Sequence, residues 1–252
     1  MTEKLTISAT IVLYNEDVET LQKTIDCFLE IPLGKKLFLV DNSSTDILKD
    51  QFNHPEITYI FVGENKGFGK GHNLVMGQLR QLSKYHLILN PDIVFNPQVI
   101  PNLIRELENN QSIAMISPKV VYPDGALQFT CRMHPTVLEL ISRRLGVHKQ
   151  YVQKKSYRNL DLSKPFYPEF IHGCFLLFNT NDFIQINGFD ERYFLYMEDA
   201  DICRKIAEIG KRILYLPKEA VEHLHRRESA TSVNLFLIHM SSAFKYFKKW
   251  GF

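Results

Sequence analysis

The sequence predicts an α/β domain: a doubly wound, mostly parallel central sheet flanked by helices. Three observations carry this expectation. Apolar strand-like runs alternate with amphipathic stretches through about the first 115 residues, as in a sheet wrapped by crossover helices. Polar breaks follow three of the strands, at Asn15-Glu16, Asp41-Asn42 and Asn90-Pro91-Asp92, and sheets of this kind bind ligands at the carboxyl ends of their strands. The chain has 252 residues and is 45% hydrophobic, enough for one large core.

The elements follow in order. "KLTISATIVLY" (residues 4–14) is β-branched and reads as a buried strand. "DVETLQKTIDCFLE" places Val18, Leu21, Ile25, Phe28 and Leu29 at helical spacing. "KKLFLVDN" is the second strand, broken by Asp41-Asn42-Ser43-Ser44, and "EITYIFVG" the third. "GKGHNLVMGQLRQL" reads as one helix, "YHLILN" as a fourth strand and "NPQVIPNLIRELENN" as a further helix. From about 120 to 170 the chain is rich in Tyr, Pro, Arg and Lys, and irregular structure covering a cleft is expected. "GCFLLFN" is a strand. "EDADICRKIAEIG" is a helix with Ile202, Ile206 and Ile209 on one face and Gly210 as its stop. "KRILYLP" is the last strand, and "NLFLIHMSSAFKYFKKW" a terminal helix.

Composition narrows the function. Thirty basic residues against 28 acidic leave a formal charge of +2, which speaks against a bulk nucleic-acid binder. The four cysteines, Cys27, Cys131, Cys174 and Cys203, form no C-x-x-C pair, which fits a reducing compartment. The first apolar run alternates with polar residues and ends in acid, so it reads as a strand rather than a signal peptide. No apolar stretch is long enough to span a bilayer. A cytoplasmic location is expected.

Several motifs carry both a bland and a chemical reading. "GENKGFGKGHN" closes with no Gly-Lys-Ser/Thr, and Gly67, Gly69 and Gly71 do not follow G-x-G-x-x-G. It is either a flexible turn before a helix or a place where the backbone approaches a nucleotide, with Lys66, Lys70 and Asn73 nearby. Asn42, Ser43, Ser44 and Asp46 suit turn and cap chemistry, whereas Asp41 at the strand end could accept a hydrogen bond from a pyrimidine N–H. Asp92 is either part of a Pro-Asp turn or a ligand for a divalent metal on a diphosphate. His223 and His225 form an H-x-H pair that suits a metal, or else end a surface strand. Glu198, Asp199 and Asp201 crowd into four positions after an aromatic loop. The helix dipole favours carboxylates there, and Asp201 has Lys205 at i, i+4. Asp199 has no such partner by spacing, and its place suits a general base.

Taken together, "IVLYN", "VDNSSTD", "NKGFGKGHN", "LILNPD", "HGCFLLF" and "GFDERYFLYMEDADICRKI" resemble, in their order and spacing, the family-2 glycosyltransferases, whose fold is GT-A. The resemblance runs from Ile11 to about Ser229 and is nearest to the bacterial rhamnosyltransferase-like branch. It implies a domain over 1–230, with a nucleotide-binding half of about 1–118 and an acceptor-binding half of about 119–230, followed by a C-terminal amphipathic helix over 231–252. It implies an inverting enzyme that moves a sugar from a nucleotide-sugar donor, dTDP-L-rhamnose or a UDP-sugar, to a saccharide or lipid-linked acceptor in surface polysaccharide synthesis. A non-catalytic sugar-nucleotide-binding subunit is the alternative of another class, and intact Asp92 and Asp199 argue against it.

By position, the resemblance makes Asp41 the contact to the base, with Tyr14 and Asn15 in the same pocket. Asp92 matches the metal-binding aspartate of a D-x-D motif, and Asn90 stands where many relatives carry the first aspartate. Lys66, Gly67, Asn73 and Asn90 fall on the donor side. Asp199 matches the catalytic base, with Glu198 and Asp201 to orient it. His223, in preference to His225, matches a further contact to metal or diphosphate, and the metal is Mg²⁺ or Mn²⁺. His172 and Gly173 would lie beneath the sugar, and Tyr193, Phe194 and Tyr196 would wall the acceptor.

The terminal helix has its own pattern: Phe236, Met240, Phe244 and Phe247 on one face, Lys245, Lys248 and Lys249 on the other. Either the aromatic face docks on the domain and the lysines are solvated, or the helix lies on an anionic membrane surface as a peripheral contact.

Overall fold

Successive side chains of a strand point to opposite faces of its sheet, so an unbroken apolar run such as Leu37-Phe38-Leu39-Val40 feeds a core on each side. The computed structural model, which describes residues 4–224 and 233–251, shows both cores. Leu37 and Leu39 join Ile7, Ile11, Phe28 and Leu103 on one face. Phe38 and Val40 join Ile88, Phe178, Phe189 and Ile202 on the other. All four residues of the run are almost fully buried, as both faces of a covered parallel sheet require.

The strands are β1 (Leu5–Leu13), β2 (Lys35–Asp41), β3 (Ile57–Phe61), β4 (Ser83–Leu89), β5 (Ile93–Phe95), β6 (Ile113–Val121), β7 (Cys131–Arg132), β8 (Phe170–Ile171), β9 (Phe175–Asn179) and β10 (Arg212–His223). Eight form one sheet in the order β3-β2-β1-β4-β9-β6-β10-β5, and β7 pairs with β8. β1 runs parallel to β2 and β4, β2 to β3, and β6 to β10. β9 is inserted antiparallel between β4 and β6, and β5 is antiparallel to β10. The helices are α1 (Val18–Leu29), α2 (Phe68–Asn73), α3 (Met76–Leu82), α4 (Val99–Asn109), α5 (Val137–Leu145), α6 (Lys149–Lys155), α7 (Thr180–Gln185), α8 (Glu198–Glu208) and α9 (Val233–Trp250).

Four departures from the sequence reading have physical causes. β6 is an additional strand despite Pro118. The register of β10 shifts between Leu216 and Ala220, opposite Pro118, and a bulge of this kind tolerates a proline. The same bulge carries β10 past Pro217 to His223. Residues 120–170 hold helices where irregular structure was expected: Thr136 caps α5 by accepting from Glu139 N, and Gly146 closes it in the left-handed conformation. The expected single helix over 69–82 is two. Asn73 ends the first by engaging both the N–H and the C=O of Phe189, at 2.9 and 2.8 Å.

The terminal helix reverses expectation. Its docked stripe is Ser242, Ala243, Tyr246 and Phe247, all buried, whereas Phe236, Met240 and Phe244 stay open to solvent. The lysine face is not simply solvated. Lys249 Nζ lies 2.6 Å from Asp201 Oδ1 and 2.9 Å from Asp190 Oδ2, and Lys245 donates to Arg192 O at 2.7 Å. Trp250 Nε1 and Tyr193 Oη donate to the same Asp201 oxygen at 2.8 and 3.2 Å. Lys245 and Lys249 are thus engaged by the domain rather than free in solvent. The expected Asp201–Lys205 pair is also replaced: Lys205 donates to Gly188 O.

Asp201 is fully buried, so losing it strips Trp250 and Tyr193 of this acceptor and leaves Lys249 only Asp190. Asp201→Ala is expected to cost about 2–3 kcal/mol, lowering the melting temperature by about 5–10 °C. Urea unfolding at constant m-value checks this. A loss under about 0.5 kcal/mol, the scale of a surface change, would mean that the apolar stripe alone holds α9.

Candidate active site

The carboxyl ends of β1, β2 and β4 meet at one edge. Asn15, just beyond β1, adopts φ 55°, a left-handed conformation that Asn tolerates, and its N–H donates to Ser43 Oγ at 2.9 Å. Tyr14 beside it is half exposed. Asp41 ends β2 fully buried; it accepts from Ser43 N at 2.8 Å and from Tyr59 Oη at 2.5 Å. Each of its oxygens retains a lone pair. Sequence reasoning missed Glu16. Burial, opposed by the Tyr14 N–H and reinforced by the charges of Asp92, Asp41 and Asp17, pushes its carboxyl up to about 7. The polar break at Asn15-Glu16 was the available signal.

The Asn90-Pro91-Asp92 turn is braced from α1, where Thr24 Oγ1 donates to Pro91 O at 2.7 Å and accepts from Ile93 N at 3.1 Å. Asp92 Oδ1 lies 3.2 Å from His223 Nε2 at the end of β10. Gln128 decides how that histidine presents itself. Its Nε2 donates to His223 O, at 3.3 Å, so its Oε1 faces His223 Nδ1 as an acceptor, at 3.0 Å. Nδ1 therefore carries a proton, and Nε2 faces the Asp92 carboxylate oxygen. A proton or a divalent cation between them reconciles the pair, and carboxylate plus imidazole is a chemically suitable donor set. Among the described residues no three His, Cys, Asp or Glu side chains converge as a ready-made cage. His225 lies outside the described residues.

The glycine-rich stretch approaches protein. A Cβ at Gly67, whose φ is +84°, would collide with the Phe194 carbonyl; one at Gly69 would meet Phe189, and one at Gly71 would meet Val12. Phe68 N donates to Phe194 O at 3.0 Å. Gly67, by its close approach, and Asn73, by its side-chain amide, thus anchor the aromatic loop before α8. Lys66 pairs with Glu64 at 2.7 Å.

That loop and α8 present the acidic triplet, and the structure gives its members three different states. Asp201 anchors α9. Glu198 is buried, and burial with the adjacent charges of Asp199 and Asp201 pushes its carboxyl up to about 8, so it holds its proton at neutral pH. Asp199 keeps a side-chain exposure of 16%. Burial raises its carboxyl and the hydrogen bonds from His172 and the Ala200 N–H lower it, the net direction being below the ordinary range. His172 Nδ1 lies 2.9 Å from Asp199 Oδ2, and His172 Nε2 lies 2.9 Å from Arg132 Nε. A guanidinium only donates, so Nε2 must accept, and the neutral ring carries its proton on Nδ1 toward Asp199. Arg132 was not found from sequence; it lies 40 residues from His172 and falls in no motif. Tyr193, expected in an acceptor wall, is buried against Asp201. Tyr196 does line the pocket.

A cavity of about 240 Å³ opens over Asp199, lined by Arg132, Arg143, Lys155, His172 and Tyr196 among others. The His172-Gly173-Cys174 turn separates it from Asp92: Cys174 O accepts from Asn90 N at 2.9 Å, and a Cβ on Gly173 would stand 3.8 Å from that of Asp199. The carboxylates of Asp92 and Asp199 both bear on the Cys174 thiol, which burial pushes up to about 12.

A family model described as glycosyl transferase family 2 matches residues 8–186, and one described as the N-terminal domain of galactosyltransferase matches residues 157–228. The chain is 26% identical over 221 residues to the rhamnosyltransferase WbbL of Escherichia coli (strain K12), covering 84% of this chain and 81% of the relative. It is 26% identical over 248 residues to the N-acetylglucosaminyl-diphospho-decaprenol L-rhamnosyltransferase of Mycobacterium tuberculosis (strain ATCC 25618 / H37Rv), covering 91% of this chain and 78% of the relative. Among solved structures it is similar to GalNAc-T7 with UDP, GalNAc and Mn²⁺, with a TM-score of 0.68 and 17% identity. That match covers 89% of this chain and 44% of the other, and shows the fold, GT-A.

The Arg132–His172–Asp199 chain makes a spectroscopic prediction. In ¹⁵N-histidine spectra at neutral pH, His172 is expected as the neutral Nδ1–H tautomer, and Arg132→Met is expected to release it toward the ordinary mixture. A wild-type ring protonated on both nitrogens would refute the assignment.

Proposed function

The chain belongs to glycosyl transferase family 2, in its rhamnosyltransferase-like branch, and from that premise we propose that it is an inverting enzyme moving L-rhamnose from dTDP-L-rhamnose onto a saccharide or lipid-linked glycan acceptor. The observation that carries the reading is Asp199: an ionised carboxylate at a pocket, oriented by His172, with Asp92 and His223 across the His172–Cys174 turn.

Inversion needs one base on the acceptor side and stabilisation of the leaving group on the other. Asp199 accepts the acceptor hydroxyl proton as that oxygen attacks the anomeric carbon in line with the departing diphosphate. The lowered pKa keeps it ionised, and the Nδ1–H of His172 occupies Oδ2 and so orients the carboxylate for the incoming proton. Glu198 stays protonated beside it and adds no second negative charge. Asp92 and His223 would hold Mg²⁺ or Mn²⁺, which when bound supplies positive charge to the leaving diphosphate. Tyr14, Asn15 and Asp41 form the base end of the donor site, and Asn90 and Lys66 flank the diphosphate end. A screen of nucleotide-sugars for metal-dependent release of nucleoside diphosphate tests the donor; silence with every donor would refute the reading.

Two variants separate the roles. Asp199→Asn fills the same volume but cannot take the proton, so turnover is expected to fall by roughly two to four decades with donor binding intact. Turnover within about tenfold of wild type would remove Asp199 as the base. Asp92→Ala is expected to weaken donor binding in the presence of Mn²⁺ and to leave it unchanged in EDTA. Full-rate transfer by EDTA-treated wild type would rule out the metal role.

A further inference from the structure

Between α5 and α9 lies an open groove of about 880 Å³, within the size range of ligand pockets. Its walls include Ile141, Leu145, Phe236, Met240 and Phe244. These side chains are 50%, 67%, 38%, 52% and 63% exposed, so a contiguous apolar surface stands in water. Isolated exposed apolar residues need no explanation, but a concave patch of them does. The docking of α9 creates it: with Tyr246, Phe247, Lys249 and Trp250 fixing the helix to the domain, the Phe236–Met240–Phe244 row is left facing α5.

The groove is not isolated. Leu140, Arg143, Tyr196 and His239 line both it and the pocket over Asp199. Charge stands at this junction. Arg143 has Glu139 at 3.7 Å, beyond a tight bidentate pair, and the Arg144 guanidinium lies 4.7 Å from the Phe236 ring centroid. The pocket over Asp199 and the hydrocarbon-lined trough thus meet at Arg143, and Arg144 lines the trough beside Phe236.

We infer that this groove binds the hydrocarbon chain of the acceptor, joined to its sugar through a phosphate or diphosphate held at Arg143 and Arg144. The inference rests on the transfer reading for where the acceptor hydroxyl ends. A single chain fits better than the face of a lipid leaflet. The surface is concave and leads into the pocket, and Lys245 and Lys249, which a leaflet contact would want in solvent, are engaged by Arg192 O, Asp190 and Asp201. Guanidiniums suit planar, bidentate recognition of phosphate.

Geranylgeranyl diphosphate, titrated calorimetrically into the full chain in EDTA, tests the groove without requiring turnover. It is expected to bind at least about tenfold more tightly than inorganic pyrophosphate, because its chain is buried. Met240→Asp, a change at an exposed side chain, is expected to weaken it at least about tenfold, as is Arg143→Ala combined with Arg144→Ala. Asp199→Asn is expected to bind it as wild type does. Equal affinity for pyrophosphate, or unchanged binding by a Met240→Asp protein that melts with wild type, overturns the inference. So does a wild type that ignores the soluble diphosphate yet sediments with phosphatidylglycerol vesicles through Met240, which would assign the groove to the leaflet. If no nucleotide-sugar is turned over while geranylgeranyl diphosphate binds, the transfer reading fails and the groove stands.

Discussion

The buried carboxylate of Asp201 is the contact on which the packing of α8, α9 and the loop around the Asp199 pocket depends. It sits at the first turn of α8, and three donors from two directions, Lys249, Trp250 and Tyr193, converge on one of its oxygens. A buried carboxylate is tolerable only when donors replace its lost water, so the charge commits α9 to one docked position. The loop before α8 benefits. Tyr196 and Met197 both hold left-handed φ values, 70° and 68°, which cost energy for side chains other than glycine. Ser242 of α9 donates to Leu195 O at 2.8 Å, and the Phe68 N–H and the Asn73 side chain hold the same loop at Phe194 and Phe189.

The same electrostatics resolves the crowding of three acids in four positions. Like charges so close cannot all ionise in a low-dielectric setting. One is matched by a lysine and two further donors, one takes a proton, and one is stabilised by a histidine whose tautomer an arginine sets. The result is a single ionised carboxylate at the pocket with its neighbours neutralised. That separation of carboxylate states by environment is what acid–base chemistry requires of a site.

β9 joins the two halves of the site. Inserted antiparallel between β4 and β6, it brings the His172-Gly173-Cys174 turn alongside the Asn90-Pro91-Asp92 turn. His172 reaches Asp199 on one side, and Cys174 O binds Asn90 N on the other. The groove between α5 and α9 adjoins the pocket over Asp199 on the other side, the two sharing Leu140, Arg143, Tyr196 and His239.

Much was legible in the sequence by itself. Two-residue and 3.6-residue periods are local, so Leu37–Val40 announced a strand and Val18–Leu29 a helix. The resemblance singled out Asp41, Asp92, Asp199 and His223; Asp41 ends β2, Asp92 lies between β4 and β5, His223 ends β10 and Asp199 opens α8. Other features depended on contacts between distant segments. Residues 234–250 are apolar around much of the helix, so spacing offered Phe236–Met240–Phe244–Phe247 as readily as the stripe through Ser242, Ala243, Tyr246 and Phe247; only Asp201 decides between them. Arg132 meets His172, and Asn73 meets Phe189, across 40 and 116 residues, and no local pattern encodes such pairs. Which of three adjacent carboxylates is ionised is likewise a matter of desolvation and partners, and both exist only once the chain has folded.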